Sequence, residues 1–182
     1  DLDDLRSVAI AAGAPLAFTA QWPTVSPLYD PTVRFHTDAG LASSTDLNLT
    51  GYTAQAEAKS WMESIGDYLY VACNLSGVAV IDAGSQSVVA GIPAPSLDPA
   101  DVPQDAQSSN AVSQGTGSSK TLYFIANGEA GLWVGDTADV LDTSSTPGHG
   151  VAGSIRFGPG ESVNFVAGKN SVVVAAAGIG GV

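Results

Sequence analysis

Apolar residues run along the chain in short, strand-length stretches that polar turns interrupt. The stretch YLYVACNLSGVAVID, residues 68–82, holds two apolar runs around a polar turn, and LYFIANGEAGLWVGD, residues 122–136, repeats that layout. A third stretch, SVVVAAAGIGGV, covers residues 171–182. Apolar runs of about four to eight residues, bounded by Gly, Asn and Ser, are typical of β-strands. The pattern therefore predicts three β-hairpins.

The three hairpins align on one glycine, at spacings of 54 and 50 residues: Gly77, Gly131 and Gly181. A short segment precedes each hairpin, at 61–65, 110–113 and 162–166, and another follows the first two, at 87–92 and 151–157. Four short strands in about 50 residues is the period of a β-propeller blade. Strands such as VAVI scarcely alternate between apolar and polar residues, which indicates that both of their faces are buried. We therefore expect six strand residues to be buried: Tyr70, Val71, Phe124, Ile125, Val173 and Val174.

The first two hairpins resemble the LVIVD-type β-propeller repeat, in which an aromatic-Val-Ala run and a polar turn precede Gly-Leu-x-Val-x-Asp. The resemblance covers about residues 60–182, with Gly135 in place of an apolar strand residue and no polar turn in the third copy. It implies an all-β fold of about three to four antiparallel, four-stranded blades, in one β-propeller-like domain over 1–182 or part of one. It also implies an extracellular or cell-surface protein, without a catalytic assignment.

The remaining segments are harder to assign. TVRFHTDAG from Thr32 is similar to SIRFGPG from Ser154, so we interpret 32–37 as the last strand of an earlier blade and 7–22 as its preceding strands. Residues 93–119 are rich in Pro, Ser, Gln, Asp and Gly, which predicts a long interblade loop.

The number of repeats predicts an unfinished blade. The mean period of 52 residues divides 182 residues into about 3.5 units, whereas closed propellers have about 4–8 blades. An unfinished blade leaves a row of unpaired backbone groups, so we expect something to cover them. The candidates are the segment 1–22, a neighbouring chain, or a continuation of the chain past residue 182. We favour the last two, since 3.5 blades leave too little sheet to close a ring.

Composition narrows the choice of partners. The net charge is −12, and the six cations are scattered along the chain. Nucleic acids and anionic membranes both require clustered Lys and Arg, so the composition argues against nucleic acid binding and disfavours an anionic membrane surface. The longest apolar run, 172–182, is too short to cross a bilayer, which argues against membrane insertion. Cys73 is the single cysteine, so no disulfide forms within the chain, and we expect Cys73 to be a small core residue.

One segment has the residue spacing of a calcium-binding loop. DLNLTGYTAQAE, residues 46–57, places oxygen-bearing groups at alternate positions and Gly51 at the sixth position, as a twelve-residue calcium loop does. With only two carboxylates, such a site would bind weakly. The alternative is an ordinary polar turn. The predicted ligands are Asp46, Asn48, Thr50, the carbonyl of Tyr52, and Glu57.

Catalytic signals are weak. No G-x-S-x-G motif is present, and the two histidines and one cysteine do not have zinc-ligand spacing. The sequence therefore predicts a non-catalytic extracellular or cell-surface module for protein binding or structural assembly. One alternative is a subunit of an extracellular filament or surface layer, completed by a neighbouring chain through strand edges. The other is an enzyme with a loop-borne site at the propeller mouth, made of Asp136, Asp139, Asp142 and His149.

Overall fold

The strands form antiparallel sheets that follow one another along the chain. The computed structural model describes residues 4–10, 17–22, 30–37, 42–52, 60–142 and 150–178. Sheet I contains β1 (Asp4–Ile10), β2 (Ala17–Trp22), β3 (Thr32–His36) and β4 (Ser44–Asn48). Sheet II contains β5 (Met62–Ile65), β6 (Tyr68–Ala72), β7 (Val78–Asp82) and β8 (Ser87–Ile92). Sheet III contains β9 (Ala111–Gly117), β10 (Lys120–Ala126), β11 (Leu132–Asp136) and β12 (Val151–Ile155), and sheet IV contains β13 (Phe165–Lys169) and β14 (Val172–Ala176).

The fold is all-β, as the apolar runs predict. In sheets I to III the strands lie in sequence order, so each sheet is a meander in which every strand pairs with the next one. Two short helices lie outside the sheets, a 3₁₀ turn (Gln104–Ala106) and α1 (Thr137–Leu141). The sequence analysis predicted neither helix.

Two segment assignments are corrected. The strand at 32–36 is the third of sheet I and not the last, because β4 pairs with it over its whole length. The segment 93–119 is not a loop throughout, since β9 pairs with β10 from Ala111 to Gly117. Ala111, Val112 and Ser113 are buried, and they belong to the short segment at 110–113 that the repeat register predicts before the second hairpin.

The sheets stack in chain order through their apolar faces. In sheet II, Leu69, Val71 and Cys73 pack with Val33 and Phe35 of sheet I. On the opposite face of sheet II, one group of residues packs with Val112, Tyr123 and Ile125 of sheet III: Ile65, Tyr70, Val78, Val80 and Ile92. Neighbouring residues of β6 thus face different sheets, which is why that strand is apolar without alternation. Cys73 is a core residue, as expected, and its burial raises the pKa of the thiol to about 12.

The same connection joins sheet II to sheet III and sheet III to sheet IV. The N–H groups of Asn74 and Ser109 each donate to the other's carbonyl, over 3.0 and 3.1 Å. Gly128 and Val163 exchange the same two bonds, over 3.0 and 2.8 Å. Gly128 lies 54 residues after Asn74, and Val163 lies 54 residues after Ser109, which is also the spacing between Gly77 and Gly131. The sequence repeat is therefore also a repeat of inter-sheet contacts.

The burial of the six residues expected to be buried differs from one sheet to another. Tyr70, Val71 and Ile125 are fully buried, which confirms the prediction for sheet II and for one residue of sheet III. Phe124 and Val173 are half-buried. Val174 is 48% exposed, so the prediction is wrong there. Among the described residues, sheet IV has a neighbouring sheet on one side only, and the outer face of β14 packs against none.

Candidate binding surface at the first strands

The first strands of the sheets lie side by side. β1 contacts β5, β5 contacts β9, and β9 contacts β13. Each of them is the first strand of its sheet and pairs with the second strand along one edge. Side chains of strands from different sheets therefore meet on this side of the molecule.

An aromatic pair links sheets that are not sequence neighbours. The rings of Trp61, next to β5, and Phe165, in β13, meet edge to face with centroids 5.3 Å apart. Ala111 of sheet III belongs to the same apolar cluster as Trp61. Because alanine is small, the indole can reach past the first strand of sheet III to sheet IV. The contact shows that β5, β9 and β13 converge.

Glu63 is the carboxylate of this region. It follows Trp61 by two residues, so both side chains leave the same face of the strand. The polar side-chain groups of Trp61 and Gln114 lie beside its carboxylate. Partial burial raises the pKa of Glu63, and these two groups lower it again by only part of that rise. Glu63 is thus a carboxyl group that is costly to keep charged, with an indole and an amide beside it.

A polar cleft continues from Gln114 toward sheet IV. It has a volume of about 240 Å³ and is lined by two chain segments, 114–116 of β9 and 168–170 at the β13–β14 turn. Gly168 donates its N–H to the hydroxyl of Ser113 over 3.0 Å. A side chain at Gly168 would collide with the carbonyl of Gln114, so only glycine permits this approach. Lys169 adds a cation to the rim of the cleft.

We call Trp61, Glu63, Gln114, Phe165 and Lys169 the first-strand surface. It combines two aromatic rings, a carboxyl, an amide and an ammonium group, so it can bind a ligand that offers both apolar area and hydrogen-bonding groups. The sequence analysis missed it, because its residues are up to 108 positions apart. One signal was present: Glu63 interrupts the apolar segment WMESI.

The predicted calcium ligands lie partly in a strand. Asp46 is in β4, where both of its oxygens accept from Arg34 over 2.7 and 2.8 Å. Asn48 accepts a hydrogen bond from Thr32 over 2.9 Å. The ion pair with Arg34 lowers the pKa of Asp46, so this carboxylate is charged but already partnered.

The other predicted calcium ligands follow β4 in the chain. Thr50 and Gly51 form an exposed turn after β4, and Glu57 is outside the described residues. Within the described ranges, no three His, Cys, Asp or Glu side chains are grouped as metal ligands would be. Calcium binding by this segment stays a prediction, and it would require Asp46 to leave Arg34.

The residues of the predicted loop-borne active site have different surroundings. Asp136 is buried, accepts from the N–H of Ala138 over 3.0 Å at the start of α1, and pairs with Lys120. The contact with Lys120 is the largest cause that lowers the pKa of Asp136, and the N–H of Ala138 lowers it further. Asp139 and Asp142 are exposed, and His149 lies outside the described residues. Asp136 thus stabilises a helix start, a contact that the D-T-A-D sequence could have indicated.

Comparisons with known proteins give no family assignment. No protein-family model matches the chain, and no curated protein is significantly similar to it. Within the described residues, no helix has both the length and the apolar character needed to span a membrane.

Proposed function

We propose that this chain is a non-catalytic, β-propeller-like module that acts in binding or structural assembly outside the cell or at its surface. The observation that carries the proposal is the stacking order. Each four-stranded antiparallel meander packs its apolar faces on its sequence neighbours, and the first strands lie side by side. Propeller blades follow one another around an axis in this way. The resemblance to the LVIVD-type repeat, in residues 60–182, supports the same assignment and the extracellular location.

The first-strand surface supports the binding part of the proposal. Its side chains come from three successive sheets, and its shape depends on backbone contacts such as Gly168 against Gln114. A ligand held there would contact rigid strands, which position side chains more precisely than loops do. Asp136, in contrast, contacts the N–H of Ala138 at the start of α1 and the side chain of Lys120 in β10, which are structural contacts.

A specific observation also favours the assembly alternative. Among the described residues β14 pairs with β13 alone, and its exposed face is apolar. An uncovered strand edge of this kind is a template for pairing with another chain.

Two measurements test the proposal. A crystal structure should place β1, β5, β9 and β13 around one axis, with β4, β8 and β12 on the rim. Sheets that stack in a straight row, without convergence of the first strands, would contradict the propeller-like arrangement.

The second measurement is an activity panel of hydrolase substrates, with and without Ca²⁺. We expect no turnover. Turnover that disappears in the variant His149→Ala, while His36→Ala retains it, would favour the enzyme alternative instead.

A further inference from the structure

Two aromatic rings of the first-strand surface meet almost at a right angle. The ring planes of Trp61 and Phe165 make an angle of 79°, and their centroids are 5.3 Å apart. Rings in this arrangement form a corner whose two walls are aromatic faces. The face of an aromatic ring is the negative part of its quadrupole, and it attracts a cation that lies within about 6 Å of the centroid. The corner therefore favours a positively charged group.

A carboxyl group lies beside this corner. Trp61 and Glu63 are two residues apart and leave the same face of the strand, about 7 Å from one another along it. Both side chains are half-buried, so a small ligand can reach them while the sheets stay folded. Burial raises the pKa of Glu63, because its charged form has lost part of the hydration that it has in water. A cation in the corner would stabilise that charge.

We propose that the first-strand surface binds an organic cation, a quaternary or methylated ammonium group, in the corner between Trp61 and Phe165, with the carboxylate of Glu63 as its counter-ion. The polar cleft that begins at Gln114 lies next to Glu63, so its hydrogen-bonding groups can hold the remainder of the ligand. This assignment rests on the binding role under the proposed function, and it names the class of ligand that the surface takes.

Methylation distinguishes such a ligand from a primary ammonium group. A primary ammonium group has three N–H donors and is strongly hydrated, and aromatic walls cannot replace the hydrogen bonds that it makes with water. A quaternary ammonium group has no N–H, so its desolvation costs less, and its methyl groups can pack against the rings. Aromatic side chains are the usual recognition surface for such ligands.

The charge of the chain also favours a cation. The net charge is −12, and a negative potential raises the concentration of cations near the surface. Lys169, the ammonium group of the first-strand surface, lies four residues after Phe165 in β13, about 13 Å along the strand. It is exposed, and this distance exceeds the screening length of about 8 Å at physiological ionic strength. Lys169 therefore opposes a cation in the corner only weakly.

Two ligands of the same shape test the need for charge. Choline carries a quaternary nitrogen, and in its isostere dimethylbutanol an uncharged carbon replaces that nitrogen. By isothermal titration calorimetry, we expect the chain to bind choline at least about tenfold more tightly than dimethylbutanol. Shape and apolar area are nearly equal in the two ligands, so the difference measures the effect of the charge.

A second pair of ligands identifies the source of the cation. Nα-acetyl-trimethyllysine amide represents a methylated protein, and Nα-acetyl-lysine amide is its unmethylated counterpart. Tighter binding of the trimethyllysine compound than of choline would indicate a protein partner, and the reverse order would indicate a small molecule. In both cases the unmethylated lysine should bind at least about tenfold more weakly than its trimethylated form.

Variants of the corner locate the site. Glu63→Gln removes the counter-ion and keeps the size of the side chain, so the dissociation constant for choline should rise at least about tenfold while that for dimethylbutanol stays unchanged. The matched control is Asp67→Asn, which removes an exposed carboxylate from the β5–β6 turn and should bind choline as the wild type does. Phe165→Leu removes one aromatic wall and keeps an apolar side chain, and it should also weaken choline binding. Circular dichroism shows whether each variant is folded, and if Glu63→Gln is not, Phe165→Leu remains the test.

Three results would overturn the inference. One is equal affinity of the wild type for choline and dimethylbutanol, which would leave a surface that recognises apolar shape and so would not affect the proposed binding role. Another is choline binding that neither Glu63→Gln nor Phe165→Leu weakens, since the cation would then lie elsewhere. The third is the absence of binding by any of the four ligands, which does not bear on the stacking of the sheets.

Discussion

Gly77 and Gly131 occupy equivalent places at the joints between hairpin turn and strand. Both have positive φ, 85° and 88°. A Cβ at Gly77 would collide with the carbonyl of Ile92, and one at Gly131 with the carbonyl of Ile155. Glycine is therefore required at these positions for two separate reasons: the positive φ, and the lack of room for a Cβ atom.

These two constraints can be separated by experiment. Gly160 also has positive φ, 73°, but a Cβ there would meet no atom within 4 Å. Gly160→Ala should therefore cost only the left-handed strain of about 1–2 kcal/mol. Gly131→Ala must also move the backbone at Ile155, so its loss of unfolding free energy in urea should be clearly larger. Equal losses in the two variants would contradict the collision.

The pKa of Glu63 predicts a pH dependence. Burial raises the pKa in the folded state above its usual value, so the folded protein binds this proton more tightly than the unfolded chain does. The stability that this provides is present below the ordinary pKa and is lost as the pH rises through the raised pKa. Glu63→Gln keeps an acceptor for Trp61 or Gln114 and cannot become charged. The unfolding free energy of Glu63→Gln minus that of wild type, measured by urea titration, should therefore be larger at pH 7 than at pH 4.

Asp82 gives a control of opposite sign. The N–H and hydroxyl of Ser85 lower the pKa of Asp82, so its contribution is present above the ordinary pKa and is lost as the pH falls. Asp82→Asn should lose more stability at pH 7 than at pH 4. If both variants shift in the same direction, Glu63 does not have the environment described.

At the scale of elements, the connection between β8 and β9 is ordered by one buried side chain. Gln107 accepts from the N–H of Leu97 over 2.7 Å and donates to the carbonyls of Leu97 and Val102 over 3.2 and 2.8 Å. Val102 is itself fully buried. The segment 93–110 is thus a closed loop with an interior.

Removing the Gln107 side chain should open this loop while leaving the sheets intact. In Gln107→Ala we expect faster proteolytic cleavage within 93–110, with unchanged far-ultraviolet circular dichroism, since the three backbone groups lose their partner. Gln104, three residues earlier, is exposed, so Gln104→Ala is the matched control and should be cleaved at the wild-type rate. Equal cleavage of the two variants would show that Gln107 does not hold the loop.

The comparison of sequence and structure also belongs to the scale of elements. The hairpins β6–β7 and β10–β11 were predictable, because each has two apolar runs and a Gly turn within 15 residues. The start of strand β9 was predicted by the repeat register at 110–113, but its continuation to Gly117 was assigned to a loop because Gln114 and Gly115 resemble loop residues. The first-strand surface was not predictable, because it depends on how sheets stack. The exposure of Val174 was missed for the same reason.

At the scale of the whole molecule, stability should decrease from the middle of the stack to sheet IV. Sheet II packs apolar faces on both sides, whereas among the described residues sheet IV packs mainly on sheet III, with one further contact between Phe165 and Trp61. Ile125, at the interface of sheets II and III, and Val166, at that of sheets III and IV, are both 1% exposed. Because the two residues are equally buried but lie at different interfaces, truncating each one compares the two interfaces.

Truncation of these two residues should have different consequences. Ile125→Ala should lower the global unfolding free energy by about 2–5 kcal/mol. Val166→Ala should mainly speed amide hydrogen exchange in β13 and β14, because a sheet at the end of a stack opens locally. Hydrogen-exchange mass spectrometry, with urea unfolding, separates the two. Uniformly faster exchange across all sheets in Val166→Ala would indicate one indivisible cooperative unit.

The closed loop at 93–110 also makes the chain suitable as a display scaffold. Its tip, 98–101, is exposed, and Asp98 alone organises it by accepting from the N–H groups of Ala100, Asp101 and Val102. Leu97 and Val102, on either side of the tip, are both bonded to Gln107, so the two ends of an inserted peptide would start from fixed points. Foreign peptides grafted between Pro99 and Ala100 would be presented as constrained loops, with the strands on both sides kept in register.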